Sequence, residues 1–209
     1  LFALFNKKFL SQNPEFLDLF NSNIYSCQKD KIKLSPEDIE ILSKLALQIK
    51  SEINTNSEVI RAIEEQNARY SSITYDEILS LDKKWRSEEL TGKQAFRKQV
   101  LVSPLSVLLK KMKHNSLGLY SEIFVMDNKG LNVGQSDVTS DFWQGDEDKF
   151  RQTFGFGANA IFIDDIEFDQ SSKTFQSQIS LTITNSDSQA IGVITLGINV
   201  ENALKSIRH

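Results

Sequence analysis

The sequence predicts an α+β protein with a helical first half and an antiparallel β-sheet in its second half. Before residue 117, apolar residues recur every three or four positions, which is typical of amphipathic helices. From Tyr120 onward they alternate with polar residues, which is typical of half-buried strands. At 209 residues with 40% hydrophobic content, the chain is long enough to bury a sizeable core. The predicted parts are a helical N-terminal extension (1–31) and a single domain (32–209) with a helical part (35–117), a sheet part (119–200) and a closing helix (201–208).

The longest predicted helix begins after Ser35. Ser35 can cap the first turn, Pro36 suits the first helical position, and Asp38 can complete a capping box. An apolar stripe then continues to Ile53 and ends at Asn54. Further helical segments are predicted at 58–69, 75–85 and 95–113, the last with a break at Ser103 and Pro104.

Five strands are predicted in the second half of the chain. Residues 122–126 and 131–136 form a hairpin, because residues 127–130 have the composition of a turn. We expect the strands to follow one another in meander order, with a helical excursion between the second and the third. The excursion is the charged segment 146–154, and the remaining strands are 160–167, 174–184 and 190–199.

The composition excludes several classes of function. Lys plus Arg number 24 against 28 Asp plus Glu, and this net charge of −4 opposes binding to nucleic acid. Cys27 is the single cysteine, so no disulfide forms within the chain, and with two histidines no Cys- or His-rich metal cluster is expected. His114 lies in a Lys-rich run that is typical of a solvated surface. We therefore predict no metal, no cofactor and no enzymatic activity.

No segment of the sequence approaches the roughly 18 apolar residues that are needed to span a bilayer. The chain begins with Leu1 rather than Met, so we expect a signal peptide or a membrane tether to lie upstream of it. Cys27 is interpreted as a small buried hydrophobe, because Glu15 and Asp18 interrupt the apolar segment that a lipid anchor at this cysteine would require.

Two neighbouring segments resemble a known family. Residues 126–133 read M-D-N-K-G-L-N-V, and residues 136–147 read S-D-V-T-S-D-F-W-Q-G-D-E. This pair resembles the hairpin and the following loop of Cache, or PDC, sensor domains, and residues 162–171 and 191–200 resemble the third and last strands of that family. The resemblance covers about residues 35–205. It implies a PAS-like five-stranded antiparallel sheet with a long N-terminal helix and additional flanking helices.

In a PAS-like fold, one face of the sheet packs on the long helix and the other forms a ligand pocket under the loop. Trp143 is a candidate pocket wall, because an indole ring attracts cations through its face. It could equally pin the loop to the core. Asp141 is a candidate partner for a ligand ammonium group, whereas Asp146 suits a helix cap and Glu147 suits a solvent-exposed position.

Strand alternation supplies the remaining candidates. Tyr120, Phe124 and Met126 are predicted to share one strand face, although Tyr120 also fits a place in the core. Ser180 and Thr182 alternate with aliphatic residues, so their hydroxyls either bind a ligand or face water. The predicted ligand-binding set is Trp143, Asp141, Tyr120, Phe124, Met126, Asp164, Ser180 and Thr182.

The family resemblance implies an extracytoplasmic sensor domain of bacterial signal transduction. We expect it to bind a small polar molecule, which could be an amino acid, an amine or a carboxylate. The alternative is a solo periplasmic or dimeric protein-interaction module of the same fold without a small-molecule ligand. The apolar stripe of the long N-terminal helix motivates this alternative, because long helices in sensors of this family often pair side by side, and a homodimer through this helix is the corresponding partner hypothesis.

Overall fold

The computed structural model describes residues 32–92, 94–169, 174–200, 202 and 203. The predicted extension 1–31 and most of the closing helix therefore lie outside the described residues. The described helices are α1 (Pro36–Ile53), α2 (Ser57–Arg69), α3 (Tyr75–Thr91), α4 (Ala95–Leu101), α5 (Pro104–Asn115) and α6 (Asp148–Phe154). The strands are β1 (Tyr120–Met126), β2 (Asn132–Gln135), β3 (Ile161–Ile163), β4 (Glu167–Asp169), β5 (Thr174–Thr184) and β6 (Ala190–Asn199).

The helices begin and end where local chemistry favours it. Ser35 and Asp38 form the expected capping box at the start of α1, and Asn54 is its C-cap. Ser103 caps α5, whose first residue is Pro104, so the predicted break before this helix is confirmed. No helix among the described residues is long and apolar enough to cross a membrane.

The sheet is antiparallel, with strand order β2-β1-β6-β5-β3 and β4 also paired with β5. The α+β class is confirmed, but the predicted meander order is wrong. The hairpins β1–β2 and β5–β6 join through β1 and β6, so these two strands lie side by side in the sheet. Alternation in the sequence indicates which face a residue occupies, but it does not determine which strands are neighbours.

The predicted strand 160–167 is two strands, β3 and β4. Ile163 pairs with Ile179 and Glu167 with Gln176, so β5 has one residue fewer than the facing segment. The extra residue breaks the ladder, and Ile166 instead exchanges backbone hydrogen bonds of 2.8 and 2.9 Å with Ile32.

The two faces of the sheet are covered differently. Helices α1, α2 and α5 pack on the first face, where Ala46, Ile63 and Leu109 are completely buried against β1, β5 and β6. On the second face, α6 packs on β5 and β6 and places Phe150 against Phe124. Because α6 is short, it covers only part of this second face.

A β-bulge at Ser121 moves Tyr120 off the predicted face. Tyr120 pairs with Ile198 and Glu122 with Gly197, which leaves one extra residue on β1. The prediction that Tyr120 shares a face with Phe124 is therefore wrong. Its ring packs against the helical core on the first face.

Burial, together with the negative charge of Glu52, raises the pKa of Tyr120 above its ordinary value. Below pH ~10 the phenol is protonated in both states and has no effect on stability. Above it, the unfolded state ionises first, so folding stability falls as pH rises through the raised pKa. We predict that Tyr120→Phe removes this alkaline loss, which urea unfolding at pH 9 and pH 11 would measure. An identical pH dependence in the wild type and the variant would contradict the buried placement.

Candidate functional site

A buried carboxylate on α3 holds the backbone of the 136–147 loop, beside a hydrogen bond from Trp85 Nε1 to the carbonyl oxygen of Thr139 (2.9 Å). Asp82, on α3, is 6% exposed. Its Oδ1 accepts hydrogen bonds from the backbone N–H groups of Phe142 (2.8 Å) and Trp143 (3.1 Å), and its Oδ2 accepts one from Arg86 (2.7 Å). Three hydrogen bonds compensate the carboxylate for the hydration that it loses on burial, and they fix the loop backbone in one position.

A second buried carboxylate shapes the turn before β2. Oδ1 of Asp127 accepts from the backbone N–H groups of Lys129 (2.8 Å) and Leu131 (2.9 Å), and Oδ2 accepts from Gln66 (2.9 Å). Burial raises the pKa of Asp127, and these hydrogen bonds oppose that increase. Gly130 completes the turn with φ +80, a conformation that favours glycine.

Trp143 is an anchor of the loop. Its Nε1 donates to the carbonyl oxygen of Lys129 (2.9 Å), and its ring meets Tyr75 edge-on at 5.5 Å between centroids. Gly145 lies against the indole, and a Cβ there would also come within 2.8 Å of the Lys129 oxygen. The W-Q-G-D segment thus has a structural explanation: only a glycine lets the chain pass this closely over the tryptophan.

Beside the anchored loop, the second face of the sheet carries a polar cavity of about 570 Å³. It lies where α6 begins, next to β4 and β5. The helix starts two residues later than predicted, so its N-cap is Glu147, and Asp146 is left in the cavity wall. The lining residues are Ser140, Asp141, Asp146, Glu147, Asp148, Lys149, Arg151, Asp164, Glu167 and Gln178.

The cavity is acidic, because six carboxylates and two basic side chains line it. Both bases are already paired: Lys149 with Glu147 at 3.1 Å and Arg151 with Asp148 at 3.0 Å. Asp141 pairs with a residue outside the cavity, Arg86, at 3.1 Å.

Arg86 connects the anchored loop to the cavity. Its hydrogen bond with Asp82, helped by the charges of Asp141 and Asp146, raises the pKa of the guanidinium. One arginine therefore contacts both the carboxylate that fixes the loop and a carboxylate that lines the cavity.

Two of the eight predicted ligand residues, Asp141 and Asp164, line this cavity. Phe124 lies beneath its wall, with the ammonium nitrogen of Lys149 5.3 Å from its ring centre. Met126 is completely buried in the cluster that packs under α6.

The hydroxyls of Ser180 and Thr182 have partners within the fold. Ser180 and Thr195 share a hydrogen bond of 2.8 Å, and Thr182 donates to the carbonyl oxygen of Thr153 on α6 (3.3 Å). Both residues are completely buried. They lie on the predicted second face, but in the part that α6 covers.

Sequence reasoning missed Gln178, Glu167 and Lys149 as cavity residues. Gln178 continues the alternation of Ser180 and Thr182 by one step, so extending that pattern toward the start of β5 would have found it. Lys149 and Glu167 carry no such signal, since charged residues in a short helix or an edge strand usually face solvent.

Two other hollows lie in the helical layer. One of about 470 Å³ is lined by α2 and α3 residues such as Arg69 and Leu81, and one of about 320 Å³ lies between α2 and α4. The larger hollow has no lining residue from the 136–147 loop, whereas Phe142 of that loop lines the smaller one. Neither is lined by a residue that lines the acidic cavity. No group of three or more Cys, His, Asp or Glu side chains in the described ranges is placed to hold a metal ion.

No protein-family model matches the sequence, and no curated protein is significantly similar to it. Among solved structures, the sensor domain of the V. cholerae histidine kinase DctB shares 13% identity at a TM-score of 0.47, over 95% of this chain and 59% of that one. The ligand-binding domain of the Campylobacter jejuni chemoreceptor Tlp3, solved with L-norvaline, shares 17% identity at a TM-score of 0.38, over 79% and 58%. The E. coli DcuS sensor domain shares 15% identity at a TM-score of 0.37, over 64% and 94%.

This chain therefore spans about three fifths of the length of the DctB and Tlp3 structures. Two of the three are sensor domains, and the third is the ligand-binding domain of a chemoreceptor. The family resemblance of the segments at 126–133 and 136–147 stays a prediction.

We predict that Asp82→Ala lowers the free energy of unfolding by about 2 to 4 kcal/mol, because two buried backbone N–H groups and Arg86 lose their acceptor. Urea unfolding would measure the loss. Asp76→Ala, at an exposed position in the first turn of the same helix, is the matched control and should cost no more than about 1 kcal/mol. Equal losses in the two variants would show that Asp82 does not hold the loop.

Proposed function

We propose that this chain is an extracytoplasmic sensor domain that binds a small molecule bearing an ammonium group, an amino acid or an amine, in the acidic cavity. The observation that supports this proposal most strongly is the excess of carboxylates over bases in the cavity wall. A bound ammonium group would relieve the repulsion among them. It would also accept no hydrogen bonds, which suits a wall rich in acceptors.

Ligands that carry only a carboxylate are disfavoured. To bind one, Lys149 or Arg151 would have to leave Glu147 or Asp148, and the released carboxylate would then repel the ligand. An amino acid ligand differs from a simple carboxylate. Its ammonium group can pair with the carboxylate of Glu147 that Lys149 releases, while Lys149 contacts the carboxylate of the ligand. Lys149 is placed for this exchange, since its side chain is only 15% exposed.

A sensor also needs a route from ligand to output, and the position of the cavity supports one. The cavity is bounded by the 136–147 loop, which Asp82 fixes to α3, and by β5, which pairs with β6. Val200 follows directly after β6, and residues 202 and 203 are described beyond it. A ligand that tightens the cavity wall would therefore act on the strand that precedes the end of the described chain.

A thermal-shift screen of the purified chain with amino acids, amines and carboxylates tests this function. We predict a higher melting temperature with at least one ammonium-bearing compound, since a ligand at 100 times its Kd adds about 2.7 kcal/mol of stability. Asp141→Asn should weaken binding of that compound by about tenfold or more, as expected for a hydrogen bond to a charged group. Added salt should weaken it further.

Glu65→Gln is the control, because Glu65 is an exposed glutamate on α2 that pairs with Arg61. It should bind the compound as the wild type does. Stabilisation by simple carboxylates alone, or no stabilisation by any ammonium compound, would contradict the proposal.

A homodimer through α1 is a second proposal, and exposed apolar residues support it. Ile39 and Leu47 are 45% and 60% exposed, and their spacing of eight residues places them on the same face of α1. Paired against a second copy of the helix, this face would bury both side chains. Such pairing is compatible with ligand binding, because the cavity lies on the opposite face of the sheet.

We predict that the wild-type chain dimerises at concentrations of about 100 μM and that Leu47→Glu makes it monomeric, because a buried glutamate at the interface would be desolvated without a partner. Light scattering coupled to size exclusion would measure both. Leu79→Glu, at an exposed leucine on α3, should remain dimeric. A monomeric wild type would contradict pairing through α1.

A further inference from the structure

One hydrogen bond crosses a whole strand beside the cavity. Gln178, on β5, lines the cavity and is 9% exposed. Its Nε2 donates to Oε1 of Glu122 on β1 at 3.0 Å. Strand β6 lies between β1 and β5, and both residues pair with the same residue there, Gly197.

Gly197 is what allows this contact. A Cβ at this position would lie 2.9 Å from Cγ of Glu122 and 2.7 Å from Oε1 of Gln176. Any other residue would therefore push the side chains of β1 and β5 apart. With glycine at this position, Glu122 and Gln178 meet above the backbone of β6.

The chemistry of the two partners fixes the orientation of the amide. A carboxylate only accepts hydrogen bonds, whereas a primary amide donates from its nitrogen and accepts at its oxygen. Glu122 therefore takes the nitrogen end of Gln178. Among the described residues, no hydrogen bond engages Oε1 of Gln178, so this oxygen is left for a group in the cavity.

We propose that Glu122 is a positioning residue that holds Gln178 with its amide oxygen toward the cavity, so that the site selects ligands by their N–H donors. This inference rests on the proposed function. It adds Glu122, which does not line the cavity, as a residue that determines ligand selectivity. A ligand carboxylate against Gln178 would meet an oxygen instead of an N–H donor. An ammonium group would meet an acceptor without any rearrangement.

Three probes of nearly the same shape separate a preference for ammonium groups from a preference for carboxylates. L-valine carries both groups, isobutylamine lacks the carboxylate, and isovalerate lacks the amine. Calorimetry would give their affinities for the wild type, Glu122→Gln and the exchange variant Glu122→Gln/Gln178→Glu. With glutamine at position 122, either end of the Gln178 amide can face the cavity. We expect the preference for isobutylamine over isovalerate to fall about fivefold to tenfold, the scale of one hydrogen bond.

The exchange variant should recover the preference, because the amide at position 122 would donate to the carboxylate at 178 and leave a second carboxylate oxygen toward the cavity. The lower preference of Glu122→Gln for isobutylamine over isovalerate should persist in about 0.5 M salt, where a purely electrostatic effect would be screened. A second readout is the Gln178 side-chain amide in NMR, whose hydrogen exchange should be slow in the wild type and faster in Glu122→Gln.

The outcomes separate the two claims. If isobutylamine or L-valine binds the wild type but Glu122→Gln keeps the same preference and the same amide exchange, the positioning role is overturned and the proposed function stands. If neither these probes nor a wider set of amines and amino acids binds the wild type, the proposed function is overturned and the selectivity inference with it.

Discussion

The carboxylate of Asp82 is the constraint on which the cavity depends. The segment 136–147 has no regular secondary structure, so its backbone N–H groups must find partners elsewhere. Asp82 accepts from two of them and is itself held by Arg86, which also contacts Asp141 in the cavity wall. Asp82 and Arg86 thus connect α3, the loop and the acidic wall, beside the contacts of Trp85 with Thr139 and of Tyr75 with Trp143. A disturbance at α3 would therefore reach the cavity wall.

The second face of the sheet has two parts: α6 covers one part, which belongs to the core, and the other part faces the acidic cavity. Under α6, Phe124, Met126 and Phe150 form an apolar cluster, and the hydroxyls of Ser180 and Thr182 are hydrogen-bonded within the fold. Beyond the start of α6, the same strands carry amides and carboxylates that open onto the cavity. A longer α6 would bury more apolar surface and would also cover the polar end of the sheet. The short length of α6 therefore explains why one part of the second face is an apolar cluster and the other part is open to the cavity.

The sequence predicted those structural features that depend only on residues close to one another in the chain. The capping box at Ser35, the hairpin turn at Asp127 and the strands β5 and β6 all follow from local chemistry and alternation. The bulge that turns Tyr120 to the first face could not be predicted, because a single extra residue reverses the alternation without altering composition. The cavity residues were only partly predictable for a similar reason: Asp141 follows from the loop motif, whereas Gln178 and Glu122 meet only because β6 places Gly197 between them.

Binding of an ammonium compound in the acidic cavity is tested most directly by NMR, by following backbone amide resonances during a titration with amino acids and amines. We expect saturable shifts concentrated at residues 140–149, 164, 167 and 178, with little change at α2 and α3 residues that line the hollows of the helical layer. Saturable shifts confined to those hollows, or an unchanged spectrum with every ammonium compound, would contradict binding in the acidic cavity.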